Sequence, residues 1–203
     1  MSVLNIIVAG IGGQGVITLS KLIAEAARRL GHNTVTAETH GLSQRGGSVE
    51  VHVRIGDAVA PLAPRGAVDV IVGLELMEGL RVLPYLKRGG LIILNNRLIT
   101  PWMPATRLPE VRRRVQKVLK EVEESNYCRL VLMNVYERLR DSGIPLYTLN
   151  TYMLGALTAF LEPSGWLTLS AAIDSIKTII RRGVETNIEA LKLGYEDAKR
   201  FTQ

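Results

Sequence analysis

Short, largely apolar runs alternate with longer amphipathic stretches along most of the chain. Residues 4–9 form such a run, which ends at a glycine and is typical of a strand buried on both faces of a sheet. Between residues 16 and 30 the apolar positions recur every three or four residues, which predicts a helix that Gly31 ends. Further apolar runs predict strands at 34–38, 68–74, 91–94 and 129–133.

Two amphipathic stretches predict the helices between these strands, one from about residue 75 to about residue 86 and one at 110–125. Residues 48–55 differ from the other strands because apolar and polar residues alternate there, which predicts a half-exposed and antiparallel strand. Strands that alternate with helices imply βαβ units. We therefore expect an α/β fold with a doubly wound, mainly parallel, Rossmann-like sheet.

The last quarter of the chain has a different pattern. Helices are predicted at 150–161, 169–181 and 185–201, with no strand between them. We expect these helices to form a helical cap or a partner-binding arm. The predicted organisation is one domain over residues 1–203, with the sheet core in residues 1–134 and a C-terminal helical extension in residues 150–203.

Composition excludes several classes of protein. Apolar residues make up 47% of the 203 positions and charged residues 22%, which indicates a globular chain rather than a disordered one. The chain runs from Met1 into the first predicted strand without a basic leader, and no apolar run reaches the roughly 18–20 residues of a membrane helix. We therefore expect a cytoplasmic protein without a membrane segment.

The net charge of +6 has a local explanation. Basic residues cluster at 112–120, but glutamates share the same predicted helix, so a solvated helix face explains them and we expect no nucleic-acid binding.

Cys128 is the one cysteine, and an iron–sulfur cluster takes about four thiolates. We therefore predict a buried or half-buried thiol and no metal site in this chain.

The first predicted strand runs into the sequence Gly10-Ile11-Gly12-Gly13-Gln14-Gly15, directly before a helix. Glycines at this spacing allow a tight turn, a close approach of the backbone to a phosphate and close packing of the helix on the strand. The helix presents free N–H groups and the positive end of its dipole to an anion. We predict that an anionic ligand or cofactor binds here, although a tight turn that binds nothing is the alternative. The predicted binding residues are Gly10, Gly12, Gly13, Gln14 and Gly15.

Glu38 supports a more specific hypothesis. It ends the second predicted strand, 23 residues after Gly15, close to where dinucleotide-binding proteins place an acid for the ribose. We therefore include Glu38 among the predicted cofactor-binding residues. A self-contained oxidoreductase that binds NAD(P) or FAD is one alternative, and a non-catalytic ligand-binding module is another.

Residues 38–48 form an unusually polar and glycine-rich connection. It leaves the end of the second strand, so we expect it to begin beside the glycine turn and to line the same cleft. His40 can donate, accept or titrate near neutral pH, with a structural hydrogen bond as its alternative role, and Arg45 can bind a phosphate or carboxylate through two N–H groups.

Polar residues also follow the later strands, and for these we expect capping or turn roles: Glu75, Glu78, Asn95 and Asn96.

These two segments carry a resemblance to a known family. The sequence Ile11-Gly12-Gly13-Gln14-Gly15-Val16 resembles the glycine motif of the gamma domain of 2-oxoacid:ferredoxin oxidoreductases. The stretch from Glu38 to Val49 is more specific and resembles the beta subunits of indolepyruvate:ferredoxin oxidoreductases, in which this domain is a separate small chain. Asn150 and Leu154-Gly155-Ala156 resemble part of a late helix of the family, and the resemblance covers about residues 3–160.

The resemblance implies a division of labour between two subunits. A larger alpha subunit would carry thiamine diphosphate and the iron–sulfur clusters, and the complex would convert an arylpyruvate and coenzyme A into an aryl-acetyl-CoA and carbon dioxide while ferredoxin accepts the electrons. This chain would then be inactive alone, and its glycine turn would hold an anionic group, such as a phosphate of coenzyme A, or pack against the partner. His40, Gln44 and Arg45 would complete the substrate cleft and are the catalytic candidates.

Overall fold

The computed structural model shows a mixed β-sheet covered by helices. It describes residues 3–40, 47–99 and 104–202. The strands in these segments are β1 (Val3–Ile11), β2 (Thr34–His40), β3 (Ser48–Gly56), β4 (Val68–Gly73), β5 (Leu86–Asn95) and β6 (Arg129–Met133). The helices are α1 (Val16–Arg29), α2 (Leu76–Arg81), α3 (Leu108–Glu124), α4 (Val135–Asp141), α5 (Leu149–Leu161), α6 (Leu169–Ile179) and α7 (Val184–Lys199). Among these residues, no helix combines the length and the apolar character that crossing a membrane requires.

The strand order is β2-β3-β1-β4-β5-β6. Strand β3 is antiparallel to both of its neighbours, whereas β1, β4, β5 and β6 pair in parallel. Without β3 the order is that of a flavodoxin-like doubly wound sheet, in which the chain turns first to one side of β1 and then to the other. The mainly parallel α/β fold and the antiparallel strand are therefore confirmed, and the crevice for ligands lies at the carboxyl ends of β1 and β4.

Strand β3 alternates between buried and half-buried positions as predicted, except that the polar residue His52 is buried. It lies between β1 and β2, and the side chain of His52 is only 2% exposed. The Nδ1 atom of His52 accepts the Ala63 N–H at 3.1 Å, so Nε2 carries the proton and donates to the Glu50 carboxylate at 2.8 Å. His52 is therefore covered by a later segment of the same chain, whereas the polar positions Ser48, Glu50 and Arg54 are half-buried.

Each face of the sheet has its own helical cover. On one face, the β1 residues Leu4, Ile6 and Val8 pack into a large apolar cluster that includes residues of α1, α5, α6 and α7. On the other face, Ile7 and Ala9 pack into a smaller cluster that includes residues of α2 and α3. Burial on both faces explains why the parallel strands are apolar almost throughout.

The C-terminal helices contribute to the larger of these clusters. All residues of α5 except Phe160 are buried. Helix α7 crosses α5 at two glycines: a Cβ added to Gly155 would lie 1.9 Å from the Leu191 carbonyl oxygen, and one added to Gly194 would lie 2.0 Å from that of Tyr152. Backbone-to-backbone contact at these two positions allows both helices to lie against the sheet.

We expect Gly194→Ala to destabilise the protein. Helix propensity alone would favour alanine by about 1 kcal/mol, but the added methyl group would overlap a backbone oxygen, and overpacking of this kind costs roughly 1–3 kcal/mol or more. The free energy of unfolding from urea titration should therefore fall. Lys192→Ala, at an exposed position of the same helix, is the matched control, and equal free energies for the two variants would refute this account of the contact.

Candidate functional site

A cavity of about 340 Å³ lies beside the glycine turn, at the carboxyl end of β1. Three separate parts of the chain form its walls: the turn with the start of α1, the helix α4, and the segment that leads into α5. The lining residues are Gly13, Gln14, Gly15, Thr18, Tyr136, Leu146, Tyr147, Leu149 and Asn150. The predicted glycine turn is thus open to a ligand-sized space.

The glycines of the turn meet different requirements. A Cβ on Gly10 would lie 2.9 Å from the Gln14 side chain and from Val16, so a larger residue has no room there. Gly13 has a φ of +103° and no neighbour within 4 Å of a built Cβ, so its backbone is exposed to the cavity side. Gly15 precedes α1 with a φ of +83°, in the left-handed region that glycine adopts without strain.

Gln14 holds the turn in place through its side-chain amide. Its Oε1 atom accepts the Ile11 N–H at 2.8 Å, and its Nε2 atom is 3.4 Å from the Leu74 carbonyl oxygen. Asn95 donates to the same carbonyl at 2.9 Å. The Gln14 amide therefore links the ends of β1 and β4 as well as lining the cavity, and its predicted contact with a ligand remains a prediction.

Asn150 is a polar side chain of the cavity wall that lies against the glycine turn. It is only 6% exposed, and its Oδ1 atom accepts the Thr151 N–H at 3.0 Å. Its Nδ2 atom would lie 2.6 Å from a Cβ on Gly15, and no acceptor for this group is found in the part of the chain that the structure describes. An amide donor thus lies beside the free N–H groups of the first turn of α1, an arrangement suited to an anion.

A second cavity of about 370 Å³ shares Tyr136 and Leu146 with the first, and its other lining residues include Arg97, Glu137 and Arg140. The Arg97 guanidinium lies 5.0 Å from the centre of the Tyr136 ring, within the range of a cation–π contact. Because they share these two residues, we treat the two cavities as one site, which we call the ligand groove. It runs from the glycine turn to two arginines, so it suits an elongated ligand with anionic groups.

One end of the polar connection after β2 contacts the glycine turn. The Gly12 N–H donates to the Gly47 carbonyl oxygen at 2.8 Å, so the end of this connection contacts the glycine turn. His40 is the last residue of β2, and Gln44 and Arg45 lie outside the described residues. The catalytic roles of these three residues therefore stay predictions.

Glu38 is not brought to the glycine turn. It pairs with Val51 of β3, which in turn pairs with Val8 of β1, so a whole strand separates Glu38 from the strand that carries the turn. Two strand spacings amount to roughly 9–10 Å, and Glu38 does not line the cavity beside the turn. The inserted strand β3 thus separates Glu38 from the turn, and its predicted contact with a cofactor stays a prediction.

The polar residues after β4 and β5 have structural contacts. Glu75 is fully buried and caps α2 by accepting the Glu78 N–H at 2.8 Å, and it also accepts the Ile99 N–H at 2.9 Å. Burial raises the pKa of the Glu75 carboxyl above its ordinary value, although these two N–H groups oppose the shift. Glu78 pairs with Arg81 at 3.0 Å. The expected capping role is confirmed for Glu75.

Sequence reasoning missed Tyr136 and the helix that carries it. The pattern predicts no element between residues 134 and 149, where the structure places α4. Val135 and Leu139 are buried at i and i+4 spacing, which is the signal for this helix, but seven residues supply too few turns for a periodic pattern to stand out. The hydrophobic pattern therefore does not predict this wall of the ligand groove.

The described residues offer no set of ligands for a cluster or metal ion. No group of three or more His, Cys, Asp or Glu side chains comes together within residues 3–40, 47–99 and 104–202. Cys128 is half-buried, and burial raises the pKa of its thiol. The donor set that does converge, backbone N–H groups and the Asn150 amide, fits an anion.

The fold places the chain among the doubly wound α/β proteins that carry a glycine turn at the switch point of the sheet, where proteins of this class commonly bind their ligands. Within this class the chain can be placed in a family. Residues 5–197 match the pyruvate ferredoxin/flavodoxin oxidoreductase family, and the chain belongs to it. The family resemblance of the two sequence segments, and with it the role of an oxidoreductase subunit, is thereby confirmed.

Individual relatives agree with this assignment. The chain is 41% identical to the indolepyruvate oxidoreductase subunit IorB of Archaeoglobus fulgidus, over 96% of this chain and 95% of that protein. It is 35% identical to the subunit of the same name from Pyrococcus horikoshii, over 96% of both chains. The gamma subunit of a keto/oxoacid ferredoxin oxidoreductase from Geobacter sulfurreducens has the same fold, with a TM-score of 0.70, 23% identity and coverage of 96% of this chain and 98% of that one.

We expect the stability difference between the wild type and Glu75→Gln to depend on pH. Because the folded-state pKa of Glu75 lies above its ordinary value of 4.5, the native protein binds more protons than the unfolded chain between these two values and loses stability as the pH rises through them. The amide of the variant does not titrate, so the variant lacks this loss.

Urea titrations at about pH 4 and about pH 7 measure this difference. The free energy of unfolding of the wild type, minus that of the variant, should be smaller at the higher pH. The exposed Glu189→Gln controls for the removal of one carboxylate. A difference that stays constant or grows with pH would show that burial does not dominate at Glu75.

Proposed function

We propose that this chain is the small subunit of a 2-oxoacid:ferredoxin oxidoreductase that acts on indolepyruvate or another arylpyruvate. The family match and the two indolepyruvate oxidoreductase subunits at 41% and 35% identity support this proposal. In the complex, the larger subunit holds thiamine diphosphate for the decarboxylation and iron–sulfur clusters for electron transfer. The products are an acyl-CoA, carbon dioxide and reduced ferredoxin.

The ligand groove is the observation that supports a direct role for this chain. Coenzyme A is long and carries phosphates, and the groove runs from an anion-suited helix start to Arg97 and Arg140. We assign the glycine turn and Asn150 to one anionic group of coenzyme A. The chain then binds and orients the co-substrate, while the reacting centre belongs to the larger subunit.

The connection after β2 has the complementary role in this proposal. His40, Gln44 and Arg45 complete the substrate cleft on the side of the larger subunit. The hydrogen bond between Gly12 and Gly47 supports this assignment, because it fixes one end of the connection to the glycine turn. Contacts with substrate and with coenzyme A would then come from neighbouring parts of one edge of the sheet.

The first test measures activity with and without the larger subunit. We expect the isolated chain to be inactive and the co-expressed complex to reduce a viologen dye when indolepyruvate and coenzyme A are both present. Pyruvate and 2-oxoglutarate are the comparison substrates. A preference for either of these would contradict the aromatic specificity, and a yellow, dinucleotide-binding isolated chain would contradict the subunit role.

The second test is Asn150→Ala in the co-expressed complex. A hydrogen bond to a charged group contributes roughly 1.5–3 kcal/mol, so the KM for coenzyme A should rise by about tenfold or more. The KM for the 2-oxoacid should change little, because the amide lies at the glycine turn. Asn33→Ala, an exposed position at the opposite edge of the sheet, is the matched control. Equal KM values for coenzyme A in the two variants would contradict the assignment.

A further inference from the structure

Helix α4 forms a wall of the ligand groove but is too short to be stable alone. It has seven residues, whereas isolated helices shorter than about 12 residues are marginal in water. Val135 and Leu139 anchor its inner side in the core, and Tyr136 faces the groove. The position of Tyr136 therefore depends on what else holds α4.

A buried carboxylate on α7 supplies this contact. Asp197 is 6% exposed and accepts from Arg138 of α4 twice, from Nε at 2.6 Å and from Nη2 at 2.9 Å. The Tyr152 hydroxyl donates to the same carboxylate at 2.7 Å, and Arg200 lies 3.3 Å from it. A two-point bond between a planar guanidinium and a carboxylate fixes orientation as well as distance.

Asp197 is itself held rigidly relative to the other wall. Helix α7 contacts the backbone of α5 at Gly194 and Gly155, so the two helices cannot slide past each other without a steric clash. Helix α5 carries Tyr152 and, two residues earlier, Asn150 of the groove. One carboxylate thus links the helix with Tyr136 to the helix with Asn150.

We propose that Asp197 is a positioning residue for the ligand groove: through Arg138 it sets α4, and with it Tyr136, at the distance from the glycine turn that the co-substrate requires. This inference rests on the proposed function of the groove. Asp197 touches no ligand, and it acts through the geometry of the two walls.

The test is Asp197→Asn in the co-expressed complex with the larger subunit. The amide keeps an acceptor for Tyr152 but loses the charge and the two-point bond to Arg138. We expect the KM for coenzyme A to rise roughly tenfold while kcat at saturating coenzyme A stays close to that of the wild type. Arg138→Lys keeps the positive charge without the planar guanidinium, and it should likewise raise the KM for coenzyme A without changing kcat. It serves as the second variant if Asp197→Asn does not assemble.

Tyr195→Phe is the matched control for stability. It removes a hydrogen bond from α7 to Glu162, after the end of α5, without touching α4. If Asp197→Asn and Tyr195→Phe lower the melting temperature alike but only the former raises the KM for coenzyme A, the positioning role is supported. If Asp197→Asn leaves this KM unchanged while Asn150→Ala raises it, the positioning role of Asp197 is overturned, but the proposal that the groove binds coenzyme A is supported. If neither variant raises the KM for coenzyme A, both the proposed function of the groove and the positioning role of Asp197 are overturned.

Discussion

The backbone contact between α5 and α7 at Gly155 and Gly194 is the constraint on which the site depends. Two helices that touch through glycines lie closer than side chains would allow, and this lets both of them cover the sheet beside α1. The contact also brings the start of α5 to the glycine turn, where Asn150 faces Gly15. The end of the chain therefore shapes a site whose motif lies at the beginning.

The ligand groove offers two kinds of group that suit an anion. At one end, backbone N–H groups at the start of α1 offer partial charges that need no ionised side chain. At the other end, Arg97 and Arg140 supply full charges at the rim. The exposed ring of Tyr147, at 65%, lies at the mouth of the same groove. An incomplete, open site of this kind suits a subunit whose partner provides the remaining wall.

Local patterns in the sequence predicted the parts of the fold that local physics controls. The parallel strands are buried on both faces, so each is an apolar run, and the glycine turn follows β1 as its spacing predicts. The place of β3 in the sheet was not predictable in the same way, because pairing order depends on contacts between distant segments. For that reason Glu38 appeared closer to the turn than it is.

The polar contacts of the helices were hidden for a related reason. Arg138 and Asp197 are 59 residues apart, and each looks like an ordinary charge on an amphipathic helix. Gly155 and Gly194 look like weak points in helices until the helices are seen to cross there. Whether a charged residue or a glycine is buried depends on the segment that packs against it. The sequence of one segment alone therefore does not predict its burial.

The reversed direction of β3 has a consequence for how such a protein can diversify. Because β2 and β3 form a hairpin, the connection between them begins and ends at the same edge of the sheet as the glycine turn. A parallel connection would have to return across a face of the sheet, usually through a helix that packs in the core. A hairpin places no such requirement on the residues that join its two strands. A frame of this kind lets a segment at one edge of the sheet change between relatives while the two helical layers keep their packing.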